Sequence, residues 1–380
     1  MDKNPETKRT RDRDRVRHLT AAAKTQPDDL KKLIALVATQ EKIIAAANKE
    51  LAARRAMDEQ QAALRRVVHE VEVPKWLVHP GAGNAGTGVP SLLLSDWHTG
   101  EVVDPKRVRG KNVYNKEVQR ERVRTLVKGV LDLCFHHMTN PKYPGIVVPV
   151  NGDMVSGNIH DELIVTNWGD IRDVLKEAAE LIAYVLHNLS DRFEHVYVPW
   201  TTGNHGRMTR KMEAKRRVGT SFDSILGDMV QEKMMQYNNV RVDVAEGAVM
   251  VYKIYGHRYL LAHGDPASTG AKGGDGIIGA AGPIIRGLVK LLAQAQSLGV
   301  EFDTAVFGHF HQRFLLQDVI VNDSLKGFDE FAANSGYRYA PPGQNLWFTH
   351  PERGPTCYWP VRVDPKGKRY EGKWLSVWED

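Results

Sequence analysis

Five short segments of this chain carry the carboxylate, imidazole and amide groups that bind divalent metal ions. They are Ser95-Asp96-Trp97-His98, Asn151-Gly152-Asp153, Gly203-Asn204-His205-Gly206, His263-Gly264-Asp265 and Gly308-His309-Phe310-His311. The candidate ligands are Asp96, His98, Asp153, Asn204, His263, His309 and His311. Such a set, with no cysteine, suits Mn²⁺ foremost, or Fe, Zn²⁺ or Mg²⁺, rather than a thiolate site. Divalent ions held by such groups can act as Lewis acids in hydrolysis. Any one of these motifs is commonplace. All five, each closing a hydrophobic run, form a specific pattern.

The runs that lead into them are 91–94, 146–150, 195–198, 259–262 and 304–307, each short and apolar enough for a buried strand. Between them, 115–137, 171–189 and 220–236 have helical periodicity. Alternation of this kind indicates an α/β fold. In an open α/β sheet the carboxyl ends of the strands converge on one crevice, so five strand ends can deliver seven ligands to one place. Asp-x-His and His-x-His would share a face on an extended strand.

Residues 1–75 read as a basic, helical N-terminal arm. Residues 1–70 hold 16 Lys+Arg against 11 Asp+Glu, so most of the net charge of +6 lies there. Residues 1–18 read as a basic, flexible arm or as a solvated helix. A helix starts at Thr25-Gln26-Pro27-Asp28-Asp29. Its apolar stripe runs through Leu30, Ile34, Val37, Ile44, Leu51, Met57, Leu64 and Val68, a projection of about 60 Å. A stripe that long calls for a partner, either the catalytic domain or a second copy in a homodimer. The Gly/Pro-rich 76–90 reads as a linker and 91–380 as the catalytic domain. Cys134 and Cys357 form no spaced framework and read as two buried thiols. Without an apolar leader or a membrane-length run, the expectation is a soluble, cytoplasmic protein.

The ordered set resembles the calcineurin-like metallophosphoesterase superfamily. The resemblance rests on Asp-x-His at 96–98, Gly-Asp at 152–153, Gly-Asn-His at 203–205, His263 and Gly-His-x-His at 308–311, and spans roughly 90–365. Ser156-Gly157-Asn158-Ile159-His160 is similar to phosphoesterases of tailed phages, whose setting would be the host cytoplasm. The ligand set is nearest the DNA repair exonuclease branch. The resemblance implies two packed mixed sheets flanked by helices in four layers. It implies one metal on Asp96, His98 and His311, a second on Asn204, His263 and His309, and Asp153 between them. It also implies in-line attack by a metal-bridging hydroxide, with His205 protonating the leaving oxygen.

Three departures bear on the substrate. Where phosphoprotein phosphatases of that superfamily carry a second Asp and an Arg after Gly-Asp, this chain has Ser156 and Gly157. Gly206 stands where many relatives place an acid. Asp161 and Glu162 are then the candidates to orient His205. A missing Arg clamp counts against a phosphomonoester and favours a diester. The basic run from Arg207 through Arg210 to Arg217 follows the catalytic motif and could meet phosphates beyond the scissile one. Arg207, Arg210 and His160 are the candidate substrate contacts, and DNA is the expected substrate. The alternatives are a phosphomonoesterase, a nucleotide or pyrophosphate hydrolase, or a nucleic-acid-binding module with spent chemistry. The glycine-rich 264–282 reads as a lid or as a surface loop. Trp347, Trp359, Trp374 and Trp378 could stack on bases, though packing is the commoner role.

Overall fold

The computed structural model describes residues 68–79, 88–139, 141–211, 217–265 and 299–364, with parts of 37–51 and 289–297. The chain divides into two units, 1–64 and 65–380. In the first, the described residues between 37 and 51 are helical, as the apolar stripe requires. The arm 1–18, the helix start at Thr25, most of the linker, the candidate lid beyond Asp265, and Trp374 and Trp378 lie outside the described residues.

Thirteen strands are described in the second unit. They are β1 Val68–Glu70, β2 Val89–Leu92, β3 Ile146–Val147, β4 Val150–Asn151, β5 Val196–Thr201, β6 Val240–Val244, β7 Val249–Ile254, β8 His257–Ala262, β9 Thr304–Phe307, β10 Phe314–Leu316, β11 Val319–Val321, β12 Gly343–His350 and β13 Gly354–Arg362. The helical stripe does not extend through Val68. Polar and apolar residues alternate only over Glu70-Val71-Glu72-Val73, and the chain is already a strand at Val68–Glu70. β1 pairs in parallel with β7, and Val71, Val73 and Trp76 pack on the core behind it.

The strands form two mixed sheets. One runs β1-β7-β8-β9-β11-β10, and the other runs β13-β12-β2-β3-β5-β4 with β6 paired to β5. Side-chain alternation sorts the core into two layers. Leu93, Val147, Tyr197 and Trp347 of the second sheet meet Met250, Tyr252, Tyr259 and Leu261 of the first. Their neighbours Leu92, Leu94, Val196, Val198, Leu346 and Phe348 face the other way, onto helices. The fold is therefore α/β, two mixed sheets face to face with helices against the second.

The three long helices fall where their periodicity placed them, and two short ones, at 161–166 and 330–334, are additional. They are α1 Lys116–Phe135, α2 Asp161–Thr166, α3 Ile171–Ser190, α4 Phe222–Met234 and α5 Glu330–Asn334. Side-chain caps start the three long ones: Asn115 accepts the Val118 N–H, Asp170 that of Asp173 and Ser221 that of Asp223. Each buries one stripe on the second sheet, α1 through Val123, Leu126, Val127 and Val130. Truncating Leu126 to alanine would cost about 2–5 kcal/mol.

Trp347 is fully buried between the sheets and its Nε1–H donates to the Tyr259 hydroxyl, so it has no face for a base. Cys134 is buried, whereas Cys357 is exposed on β13, contrary to the two buried thiols expected. Among the described residues, no helix is long and apolar enough to cross a membrane.

Candidate metal centre

The seven candidate ligands all follow strand ends, but of two sheets rather than one. β2, β4 and β5 lead to Asp96 and His98, to Asp153 and to Asn204 from the second sheet. β8 and β9 lead to His263 and to His309 and His311 from the first. The site therefore lies on the seam where the sheets meet. Asn151 ties that seam: its amide donates to the carbonyls of Ala262 and Val306 across it, at 2.8 and 3.1 Å.

The ligands do not sit on extended strands. Asp96, His98, Asp153, His309 and His311 have φ of 55°, 47°, 51°, 67° and 53°. Left-handed backbone is unfavourable for residues with a Cβ and clusters at functional sites. The surrounding main chain over-determines it. The Asp96 N–H donates to Gly152 O at 3.2 Å and the His98 N–H to Asp153 O at 3.0 Å. Ser324 Oγ donates to Asp96 O at 2.8 Å, and the His309 N–H donates to Asp96 Oδ1 at 2.9 Å.

Two clusters result, and both fit metal ions: Asp96 with His98 and His311, and Asp153 with His263 and His309. In the first, His98 Nε2 lies 3.0 Å from His311 Nε2, and His311 Nε2 lies 3.4 Å from Asp96 Oδ1. In the second, His263 Nε2 lies 2.9 Å from Asp153 Oδ2. Asn204 joins it, its Oδ1 2.9 Å from His309 Nδ1. His263 Nδ1 donates to Asn151 O at 2.7 Å, which leaves Nε2 to face the carboxylate.

The charges show what such a cage needs. Burial, reinforced by the Lys326 ammonium, holds His98 well below its ordinary pKa, so it is a neutral ligand. Burial and the neighbouring His263 push His309 down to about 4. Burial would also depress His263, but Asp153 overcomes it and raises the imidazole to about 10. Burial opposes ionisation of Asp153, yet His263 and His205 keep it well below the ordinary carboxylate range. A single proton on His263 thus occupies a place between imidazole and carboxylate donors that a cation would suit. Two buried carboxylates, four imidazoles and an amide fit a dinuclear site of divalent ions.

His205 stands beside these clusters. Its main-chain N–H donates to Asp153 Oδ1 at 2.7 Å, and its ring meets the His98 ring edge-on at 4.6 Å. Its Nδ1 donates to the Ser156 carbonyl at 3.0 Å. That main-chain oxygen orients the ring, in place of Asp161 or Glu162. Asp161 instead pairs with Arg210 at 3.0 Å on the exposed surface. Gly157, at φ 66°, is required by space: a Cβ there would lie 1.9 Å from the His205 carbonyl oxygen. His160 stands at the N-cap position of α2 without a side-chain capping bond, and its ring centroid is 6.4 Å from that of His205.

Arg207 is folded back on its own loop, donating to the carbonyls of Asn204, Thr209 and Arg210 at 2.8, 3.0 and 3.2 Å. Arg217 pairs with the buried Asp265 at 2.7 Å. Gly203, Asn204, Arg207, Arg217 and Asp265 together line a small cleft beside the second cluster.

No family model and no curated protein matches this chain. Among solved structures, the crystal structure of phosphopantetheinyl hydrolase (PptH) from Mycobacterium tuberculosis is similar at 13% identity, over 67% of this chain and 94% of that one, with a TM-score of 0.27. A likeness that slight carries no weight for function.

Three supports had no visible signal in the sequence. Asp223, in the first turn of α4, is fully buried behind Asp153 and accepts main-chain N–H groups of Asp153, Met154 and Gly203. Burial and the Asp153 charge raise its carboxyl to about 6. Lys326 is buried between Glu101 and Asp329, and Glu101 lies 3.8 Å from His98 Nδ1. Gln344 accepts from both the Ser95 N–H and the Trp97 indole, at 3.0 and 3.2 Å. Only the Ser221-x-Asp223 capping pattern was readable, and it speaks of a helix start, not of a buried clamp.

Proposed function

We propose that this chain is a dinuclear-metal phosphoesterase that cleaves phosphodiesters, with DNA as substrate. The observation that carries the reading is the meeting of two His/Asp clusters across the sheet seam, with His205 held against both. Asp96, His98 and His311 would hold one ion. Asn204, His263 and His309 would hold the other, and Asp153 would touch both. Two bound divalent ions supply Lewis acidity and offset the charge that develops at phosphorus.

The chain's own groups do the rest. His205 uses Nδ1 on Ser156, so Nε2 is the nitrogen available to a leaving oxygen. Burial keeps this imidazole below its ordinary pKa, with Asp153 opposing. A bound phosphoester adds negative charge beside it and favours the protonated, donating form.

Two features support a diester. Gly157 leaves no room for a side chain where a phosphate clamp could stand. The guanidinium groups of Arg207 and Arg217 are already committed, to carbonyls and to Asp265. A dianionic monoester needs free guanidinium more than a monoanionic diester does. Arg210 and the basic stretch around it favour a polyanion over a small ester.

The test is cleavage of end-labelled single- and double-stranded DNA with Mn²⁺, using Asp153→Asn as control. Mn²⁺-dependent cleavage lost in the variant supports the reading. Turnover of p-nitrophenyl phosphate faster than its bis ester, with DNA untouched, would replace it by a phosphomonoesterase.

A further inference from the structure

We propose that Asp223 is a positioning residue that locks the Asp153 loop to the Asn204–His205 loop, standing in for a side chain that position 206 lacks. The proposal rests on reading Asp153 and Asn204 as metal ligands. Asp223 Oδ2 accepts the N–H of Asp153 at 3.0 Å and of Gly203 at 2.8 Å, and Oδ1 accepts the N–H of Met154 at 3.2 Å. One buried carboxylate thus holds main chain from two loops, each immediately beside a candidate ligand. The loops touch closely: a Cβ on Gly203 would lie 2.1 Å from Asp153 Oδ1.

Asp223 is itself held at both ends. Its N–H donates to Ser221 Oγ at 3.2 Å, and its carbonyl accepts the Trp200 indole N–H at 3.0 Å. The carboxylate fills one particular space. A Cβ built on Gly206 would lie 2.7 Å from Asp223 Oδ2, 2.8 Å from its Cγ and 3.0 Å from Ser221 Oγ. Gly206 is not among the residues with positive φ. Glycine is therefore needed there because Asp223 occupies the side-chain volume, not because of the backbone. A carboxylate from residue 206 and one from the first turn of α4 are alternative sources of the same clamp. Metal-supporting groups of this kind commonly contribute 10–100-fold in affinity.

The experiment compares wild type, Asp223→Ala, the isosteric Asp223→Asn, and the transplant Asp223→Ala with Gly206→Asp. Amide hydrogen exchange at Asp153, Met154 and Gly203 reads the lock without metal. Titration calorimetry with Mn²⁺, and the electron paramagnetic resonance signal of a coupled Mn²⁺ pair, read its consequence. The expected result is lost amide protection and at least about 10-fold weaker binding of one of two ions in both single variants. Asp223→Asn keeps the fold available for this comparison should the alanine variant not fold. The transplant should recover protection and the coupled-pair signal. Unchanged Mn²⁺ binding in Asp223→Asn would overturn the positioning role, and a transplant no better than Asp223→Ala would overturn the stand-in. Wild type that takes up no Mn²⁺, with the lock intact by exchange, would overturn the dinuclear reading instead and with it any role of Asp223 toward metal.

Discussion

The Nε2 atoms of His98 and His311 stand 3.0 Å apart, within hydrogen-bond distance of one another. Burial, with the Lys326 ammonium, keeps His98 neutral. A cation shared with Asp96 would take both nitrogens as ligands in place of that bond. His311→Ala and Asp96→Asn should each lower Mn²⁺ stoichiometry from two to one by calorimetry. His136→Ala, at the exposed end of α1, should leave it at two.

Metal uptake should release protons, and His263 sets the sign. Its metal-free pKa is raised to about 10, so it is protonated at neutral pH. His309, at about 4, is not. An ion in the second cluster must therefore displace the His263 proton. Calorimetry in buffers of differing ionisation heat should show about one proton released per second-cluster ion at pH 7. Affinity should rise as pH increases towards 10, by about tenfold per unit where His263 is the only group titrating. Affinity that is flat between pH 6 and 8 would contradict this.

His205 should matter in proportion to how badly the leaving group needs a proton. His205→Asn should lower kcat about 10²–10⁴-fold on an alkoxide-leaving diester. On bis-p-nitrophenyl phosphate, whose leaving group is a weak base, the loss should be much smaller. Equal losses on both would assign the ring to support alone.

Gly157→Ala tests whether the loop after Asp153 has any slack. The left-handed backbone costs about 1–2 kcal/mol for a residue with a Cβ, and the clash with the His205 carbonyl adds to it. A fall in Tm with reduced activity is expected. Loss of activity at unchanged Tm would locate the effect in His205 placement only.

Lys326→Met leaves Glu101 and Asp329 facing one another in a buried space. Removing one partner of a buried ion group costs about 3–5 kcal/mol. Denaturant unfolding of the metal-free variant should show it. Adding Glu101→Gln should recover part of the loss.

The α/β class and the three long helices were legible because their apolar periods are long and capped by Asn115, Asp170 and Ser221. The candidate ligands stood out because each closes an apolar run. What the runs could not tell is which sheet each joins, since pairing is set by contacts far apart in sequence. β1 was misread because the apolar stripe meets the strand at Val68. The left-handed turns at Asp96 and His309 were invisible because nothing in Asp-x-His or His-x-His demands positive φ. Asp223 and Lys326 were missed because burial of a charge depends on partners that only the fold assembles.

The five ligands in left-handed backbone have a consequence for how this protein can change. Each holds its loop in a conformation that costs a side-chain-bearing residue about 1 kcal/mol or more, so the candidate site is opposed by local stability. Glycine or asparagine at these positions would ease the backbone and remove the candidate site together. Stabilisation of this protein by choosing residues that best suit the local backbone would follow the same route and arrive at a sturdier fold with no site.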